Sequence, residues 1–159
     1  YWWGINTKYS SSLQFGSSFN NESVVVDLDK SKEVPWNIFG FSPYQWMRVD
    51  LSSIYSTSAL TFKLKTTELP KLQAILFAYT GKKRRLYKTL NESHFIDRGN
   101  GLYEAYLPLK SLMGYSEFRW DALKEIRFKI LEGTQCEIGD FQLIEFRGNP
   151  QKPTQWKGI

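Results

Sequence analysis

The chain has 159 residues, 16% of them aromatic, with one histidine and one cysteine, and its 21 Lys and Arg against 16 Asp and Glu leave a formal charge of +5. A single Cys excludes an internal disulfide and any zinc site built on cysteines, and a single His excludes His-rich metal sites. A Ser-His-Asp triad would have to use His94. In chain order, residues 1–21 are rich in Ser, Asn and aromatics, and Trp2 and Trp3 read as anchors of a first strand. Residues 23–28 contain Val24-Val25-Val26, a β-branched run that predicts a strand. Trp36, Phe39, Phe41 and Tyr44 cluster in a loop containing Pro and Gly. Such a cluster is either a binding loop on a rigid scaffold or a plug over the end of a core.

Residues 44–51 alternate, with Trp46, Arg48 and Asp50 on one side and Met47, Val49 and Leu51 on the other. Residues 52–57 make one helical turn. Residues 59–65 alternate more cleanly, Leu60, Phe62 and Leu64 against Thr61, Lys63 and Lys65. Residues 72–79 are apolar on both faces, as in a strand covered on both sides. Thr80-Gly81-Lys82-Lys83 turns the chain into a partner strand over 85–90, and the quartet Lys82-Lys83-Arg84-Arg85 reads as a solvated turn. Residues 102–107 form another strand closed by Pro108. Single helical turns follow at 109–113 and 121–124, and strands at 125–131 and 137–146 complete the set. Tyr103, Tyr106, Trp120 and Phe128 fall in alternating or framework segments and are assigned to the core. Short strands between turn signals predict an all-β sandwich or barrel. Residues 1–146 are expected to form one domain and 147–159 a linker-like tail whose Pro, Gly and polar residues surround Trp156. A chain beginning at Tyr1 reads as a processed protein or an excised domain.

Four passages carry a family resemblance. They are Trp46-Met47-Arg48-Val49-Asp50-Leu51-Ser52 with Leu60-Thr61-Phe62-Lys63-Leu64, then Gly101 to Leu109, then Trp120 to Phe128, then Ile138-Gly139-Asp140-Phe141-Gln142-Leu143. In this order, over roughly Val24 to Phe146, they resemble the jelly-roll carbohydrate-binding modules with a galactose-binding-like fold. The resemblance implies an all-β jelly-roll sandwich of two antiparallel sheets with four or five strands each. It implies a non-catalytic module binding polysaccharide or oligosaccharide, attached to a catalytic domain and placed outside the cell or in the periplasm. Many members of that family hold a structural calcium. Here Gly139 stands at the first acidic position of the closing strand, leaving Asp140, with Asp27 and Asp29 available from the early strand. The reading is of a chain without a cofactor, calcium at these residues being the one open case.

Sugar recognition needs flat rings for the CH face of a pyranose and directional polar groups for its hydroxyls. Trp46 is the leading ring, because it shares a polar strand face with Arg48 and Asp50; its competing role is a cap on the core edge. Tyr44, Tyr79 and Trp36 are the supporting rings. Lys63, Lys65, Arg127 and Lys129 lie on polar strand faces. If their strands are neighbours, they form one basic stripe suited to an acidic polysaccharide; otherwise they are solvated lysines and arginines. No paired-carboxylate strand and no lyase motif appears, so the chain reads as no enzyme, with no nucleic-acid partner and no membrane span. Two other functions remain open: a protein-interaction or assembly domain on the same sandwich, and a small jelly-roll glycosidase or lyase.

Overall fold

A computed structural model describes residues 2–3, 13–19, 23–27, 38–41, 48–79, 83–114, 117–133 and 135–145. The predicted ring positions Trp36, Tyr44 and Trp46, the acidic position Asp29 and the tail 147–159 lie outside the described residues. The early strands are β1 (Trp2–Trp3), β2 (Leu13–Phe15), β3 (Ser23–Asp27) and β4 (Ile38–Phe41). The middle strands are β5 (Ser58–Lys65), β6 (Lys71–Tyr79), β7 (Lys83–Thr89) and β8 (Phe95–Asp97). The last are β9 (Leu102–Pro108), β10 (Met113–Gly114), β11 (Leu123–Glu132) and β12 (Gln135–Glu145).

They form two antiparallel six-stranded sheets, a front sheet ordered β1-β4-β11-β6-β7-β10 and a back sheet ordered β2-β3-β12-β5-β9-β8. The expected sandwich is therefore present, with six strands per sheet rather than four or five. The additional strands include β1, β2, β8 and β10, which have two or three residues each. A period-two pattern cannot be recognised over so short a run.

Alternation explains the packing. Leu60, Phe62 and Leu64 of β5, with Val24, Val26 and Ile138, point from the back sheet into the core. Leu72, Ala74 and Leu76 of β6, with Phe128 and Ile130 of β11, meet them from the front sheet. The Phe62 and Phe128 rings touch edge to face at 5.2 Å and so join the two sheets. Such a pair adds about 0.5–1.5 kcal/mol to the burial of its area. A bulge in β12 between Gly139 and Gln142, with Asp140 at φ 53°, re-aims Phe141 into this cluster, where it stacks on Phe62 at 5.3 Å.

Two expectations are corrected. Of the predicted strand 44–51, the described part makes only one bridge, Val49 to Leu123. The carboxylate of Asp50 accepts from the Ser52 N–H at 2.9 Å, and Leu51 donates to the Trp120 carbonyl at 2.7 Å, so the chain turns away after a single rung. Tyr106 is buried, but its register opposite Thr61 puts it on the outer side of the back sheet, in a small cluster with Ala59, Ile96 and Ile144. There burial pushes its phenol up to about 12. The three single turns expected at 52–57, 109–113 and 121–124 are 3-10 turns at Tyr55–Thr57, Leu109–Ser111 and Trp120–Ala122. A fourth, Glu92–His94, is closed by a capping box in which the Asn91 N–H donates to His94 Nδ1 at 3.1 Å. The only histidine is thus engaged in a turn.

Candidate functional site

The outer side of the front sheet brings together the largest group of exposed-side aromatics and cations among the described residues. It is built on β6, which has Leu72, Ala74, Leu76 and Ala78 in the core and Gln73, Ile75, Phe77 and Tyr79 on the other side. Ile75 and Phe77 are 5% and 3% exposed although they lie outside that core, so this face of the strand is covered as well. The apolar reading of both faces of residues 72–79 matches this arrangement.

The cover over Phe77 is guanidinium. Arg127 of β11 lies over its ring at 4.5 Å and Arg85 of β7 at 5.7 Å. The register explains both, since Phe77 stands opposite Arg85 on one side and Glu125 on the other, with Arg127 opposite Ile75. Glu125 is 7% exposed and accepts from Arg127 Nε at 2.7 Å, which holds the guanidinium near the ring. Two residues along β6, the half-buried Tyr79 ring lies near Lys124 Nζ at 5.0 Å and Arg48 at 5.7 Å. Each contact is a cation–π geometry of about 0.5–2 kcal/mol, depending on desolvation. Lys129 is exposed on the same side, opposite Gln73.

The candidates therefore separate. Tyr79, Arg48, Arg127 and Lys129 are on the front face. Asp50 is exposed beside them in sequence, but its carboxylate is bonded to Ser52, whose hydroxyl and N–H hold it below its ordinary range. Lys63 and Lys65 are on β5 of the back sheet, which pairs with β9 and β12. The single basic stripe does not form, because β5 and β11 belong to different sheets. Alternation tells which side of a strand faces the core, not which strand lies beside it. Lys63 is bound to Asp140 at 2.7 Å, so an ammonium already stands against the acidic residue that a calcium ion would need. Trp120 and Tyr103 are half-buried and pack against the core, with Trp120 stacked on Tyr55 at 4.6 Å.

Phe77, Arg85, Lys124 and Glu125 were not among the predicted site residues. Arg85 reads both as the first residue of the strand 85–90 and as the end of a solvated basic quartet, and it is the third residue of β7. The signal available for Phe77 was its place in the doubly apolar segment, two residues before Tyr79.

The back face carries a second feature. A cleft of about 690 Å³ is lined by Lys65, Thr66, Asp97, Asn100, Tyr103 and Glu137, among others. Glu137 is buried and its Oε1 accepts from the Ser18 N–H at 2.9 Å and the Ser23 hydroxyl at 2.6 Å. Burial alone would raise its carboxyl, but these hydrogen bonds and the charge of Lys65 outweigh it and hold the group below the ordinary range. A depressed carboxyl contributes stability above its unfolded value, near 4.3 for Glu, and loses it as pH falls through the folded value. Thermal melts from pH 7 downward should therefore show a loss of stability below about pH 4.3 that is smaller in Glu137→Gln, after subtracting the variant's own loss at neutral pH. Identical acid limbs in the two proteins would contradict this account.

No protein-family model matches the sequence, and no curated protein matches it. Solved structures do match. One family 30 carbohydrate-binding module is 14% identical with a TM-score of 0.68, the match covering 90% of this chain and 78% of that one. Another, from the cellulosomal cellulase Cel9D-Cel44B of Clostridium thermocellum, is 13% identical with a TM-score of 0.63, covering 84% and 82% of the two chains. A described exo-beta-agarase is 11% identical with a TM-score of 0.52; the match covers 86% of this chain and 23% of that one. At these identities the likeness concerns architecture, and the chain has the jelly-roll β-sandwich fold of the family 30 carbohydrate-binding modules.

Proposed function

We propose that this domain is a non-catalytic carbohydrate-binding module that holds an acidic polysaccharide on the outer face of its front sheet. The observation that supports this most is the pair of rings on β6, each attended by two cations: Phe77 by Arg127 and Arg85, Tyr79 by Lys124 and Arg48. Phe77 is buried and acts as a foundation; Tyr79 is a half-buried ring available to a pyranose. Guanidinium groups near rings can offer N–H donors to a carboxylate or sulfate on the next sugar, which accepts two hydrogen bonds. Glu125 is the carboxylate on this face that balances Arg127. Arg48, Arg85, Lys124 and Lys129 leave the face positive overall. Trp46, Trp36 and Tyr44 are proposed to extend the platform, and Asp50 to orient the segment carrying Arg48.

An accessory role accords with the fold's occurrence as about a quarter of the two longer chains, PfGH50B and the exo-beta-agarase. On this reading, residues 1–146 are the binding unit and 147–159 lead toward a neighbouring catalytic domain. The working place is then outside the cell or in the periplasm, where polysaccharide is found. Among the described residues no helix is long and apolar enough to cross a membrane.

The test is affinity electrophoresis in gels containing pectate, alginate or carrageenan, beside neutral xylan and mixed-linkage glucan. Retardation is expected in an acidic gel, falling as salt is added, and weakened about tenfold or more by Tyr79→Ala and by Arg85→Ala, as for loss of a charge-assisted contact. Retardation only in neutral gels, or insensitive to salt, would refute the acidic ligand. No retardation in any gel would refute sugar binding and favour a protein-docking surface. Release of soluble sugar in the same gels would indicate an enzyme.

A further inference from the structure

We infer that the back-face cleft is a second, separate binding site, for an uncharged saccharide of one or two sugar units. It requires nothing from the front-face reading, because it lies on the other sheet and differs in chemistry. Its volume of about 690 Å³ falls within the roughly 300–1,000 Å³ typical of small-molecule sites, and a further hollow of about 350 Å³ adjoins it, sharing Ser18, Lys65, Gly99 and Asn100.

The walls are held by hydrogen bonds. Thr66 donates its N–H to the Gly101 carbonyl at 2.9 Å, and its hydroxyl lies 3.0 Å from the Gln135 carbonyl. Across the cleft the turn 97–102 is closed by Arg98 N–H to Leu102 O at 2.8 Å and Leu102 N–H to Gly99 O at 3.0 Å. Asp97 Oδ1 accepts from the Gly99 N–H at 2.8 Å. Asn100 sits at the tip of that turn at φ 56°, a conformation Asn accepts more readily than most residues. A cleft framed in this way is formed before any ligand arrives, which lowers the ordering penalty of binding.

The charged side chains that line it are Lys65, Asp97 and Glu137, and the Asp97 carboxylate is held by the Gly99 N–H at 2.8 Å. Lys65 acts on Glu137, and the cations of the adjoining hollow are paired, Lys63 with Asp140 at 2.7 Å and Arg98 with Glu104 at 3.0 Å. A charged ligand would have to compete with these partners. A hydroxyl-rich neutral ligand would not, because each hydroxyl both donates and accepts. Asn100, Thr67, Gln135 and Ser18 supply the uncharged polar groups, and the half-buried Tyr103 supplies one apolar wall. A polar cleft with a single ring suits one or two sugars rather than a long stacked chain.

The experiment is a two-dimensional amide NMR titration of the whole chain with cellobiose, xylobiose, maltose and lactose in turn. At least one disaccharide should produce saturable shifts at Lys65, Thr67, Gly99 and Asn100, with an affinity unchanged by added salt. Asn100→Gly keeps the turn, since Gly adopts positive φ freely, and should weaken that affinity at least threefold; Thr67→Ala is the second variant. Tyr79→Ala should leave it unchanged. Shifts confined to β6, β7 and β11, or no shifts with any of the four sugars, would overturn the proposal. Loss of acidic-gel retardation in Tyr79→Ala with the cleft shifts intact separates this site from the front face. An affinity unaffected by both Asn100→Gly and Thr67→Ala would also overturn it.

Discussion

Phe128→Ala should lower the stability of the domain by about 3–5 kcal/mol, the largest single-residue effect expected here. Phe128 has no exposed surface and stands where the two sheets meet, 5.2 Å from the Phe62 ring and 5.6 Å from Phe141. Truncation removes the transfer term of the ring and leaves a cavity that rigid sheets on both sides cannot close. It also breaks the edge-to-face contact that couples front to back. Chemical denaturation of wild type and variant would measure the loss; a change under about 1 kcal/mol would show that the aromatic cluster repacks and that this account of the core is wrong. Phe128→Leu, which fills most of the space, should recover a large part of the stability.

Gly101→Ala should lower stability by about 2–4 kcal/mol, through two additive strains. The backbone at Gly101 has φ 76°, a region that L residues enter at a penalty. A Cβ built there would stand 2.6 Å from the Thr66 carbonyl oxygen, and that atom is main chain, so it cannot rotate aside. The same close approach carries the Thr66 N–H to Gly101 O bond at 2.9 Å, which ties the turn to the end of β5. At roughly 2–4 °C of melting temperature for each kcal/mol in a domain of this size, the shift is measurable by calorimetry. Gly99→Ala is the comparison. Its φ is 84°, but nothing lies within 4 Å of its Cβ, so only the conformational part should be lost. Equal losses at the two positions would remove the steric half of the explanation.

The parts legible from the residues were those set by side-chain periodicity. Leu60, Phe62 and Leu64 alternate with Thr61 and Lys63, and the first set is in the core. The doubly apolar stretch around Ile75 and Phe77 is covered on both sides, and that cover marks the candidate face. What was not legible was lateral order. Nothing in residues 59–65 or 125–131 tells that β5 pairs with β9 and β12 while β11 pairs with β4 and β6. Those partners are set by long-range packing, and they divide Lys63 and Lys65 from Arg127 and Lys129. Tyr106 shows the same limit at one residue: period two gives it a side, but its burial on the outer side of the back sheet comes from contacts distant in sequence. Arg85 was placed at the start of its strand, but a basic quartet after Thr80-Gly81 resembles a solvated turn, so its position opposite Phe77 in a ladder that begins at Lys83 was obscured. The back-face cleft had no sequence signal at all, because its walls come from five separate segments.

The shortness of the outermost strands bears on how such a domain behaves in company. Among the described residues, β1 and β10 of the front sheet have two residues each, and β2 and β8 of the back sheet have three. Unpaired main-chain groups at a sheet margin can recruit a strand from a second molecule, and an outermost strand of two or three residues itself gives such a strand little to zip along. A domain that gathers on a polymer meets copies of itself at high local density. On the proposed reading, short outermost strands would help copies to crowd on one polysaccharide without fusing into a shared sheet.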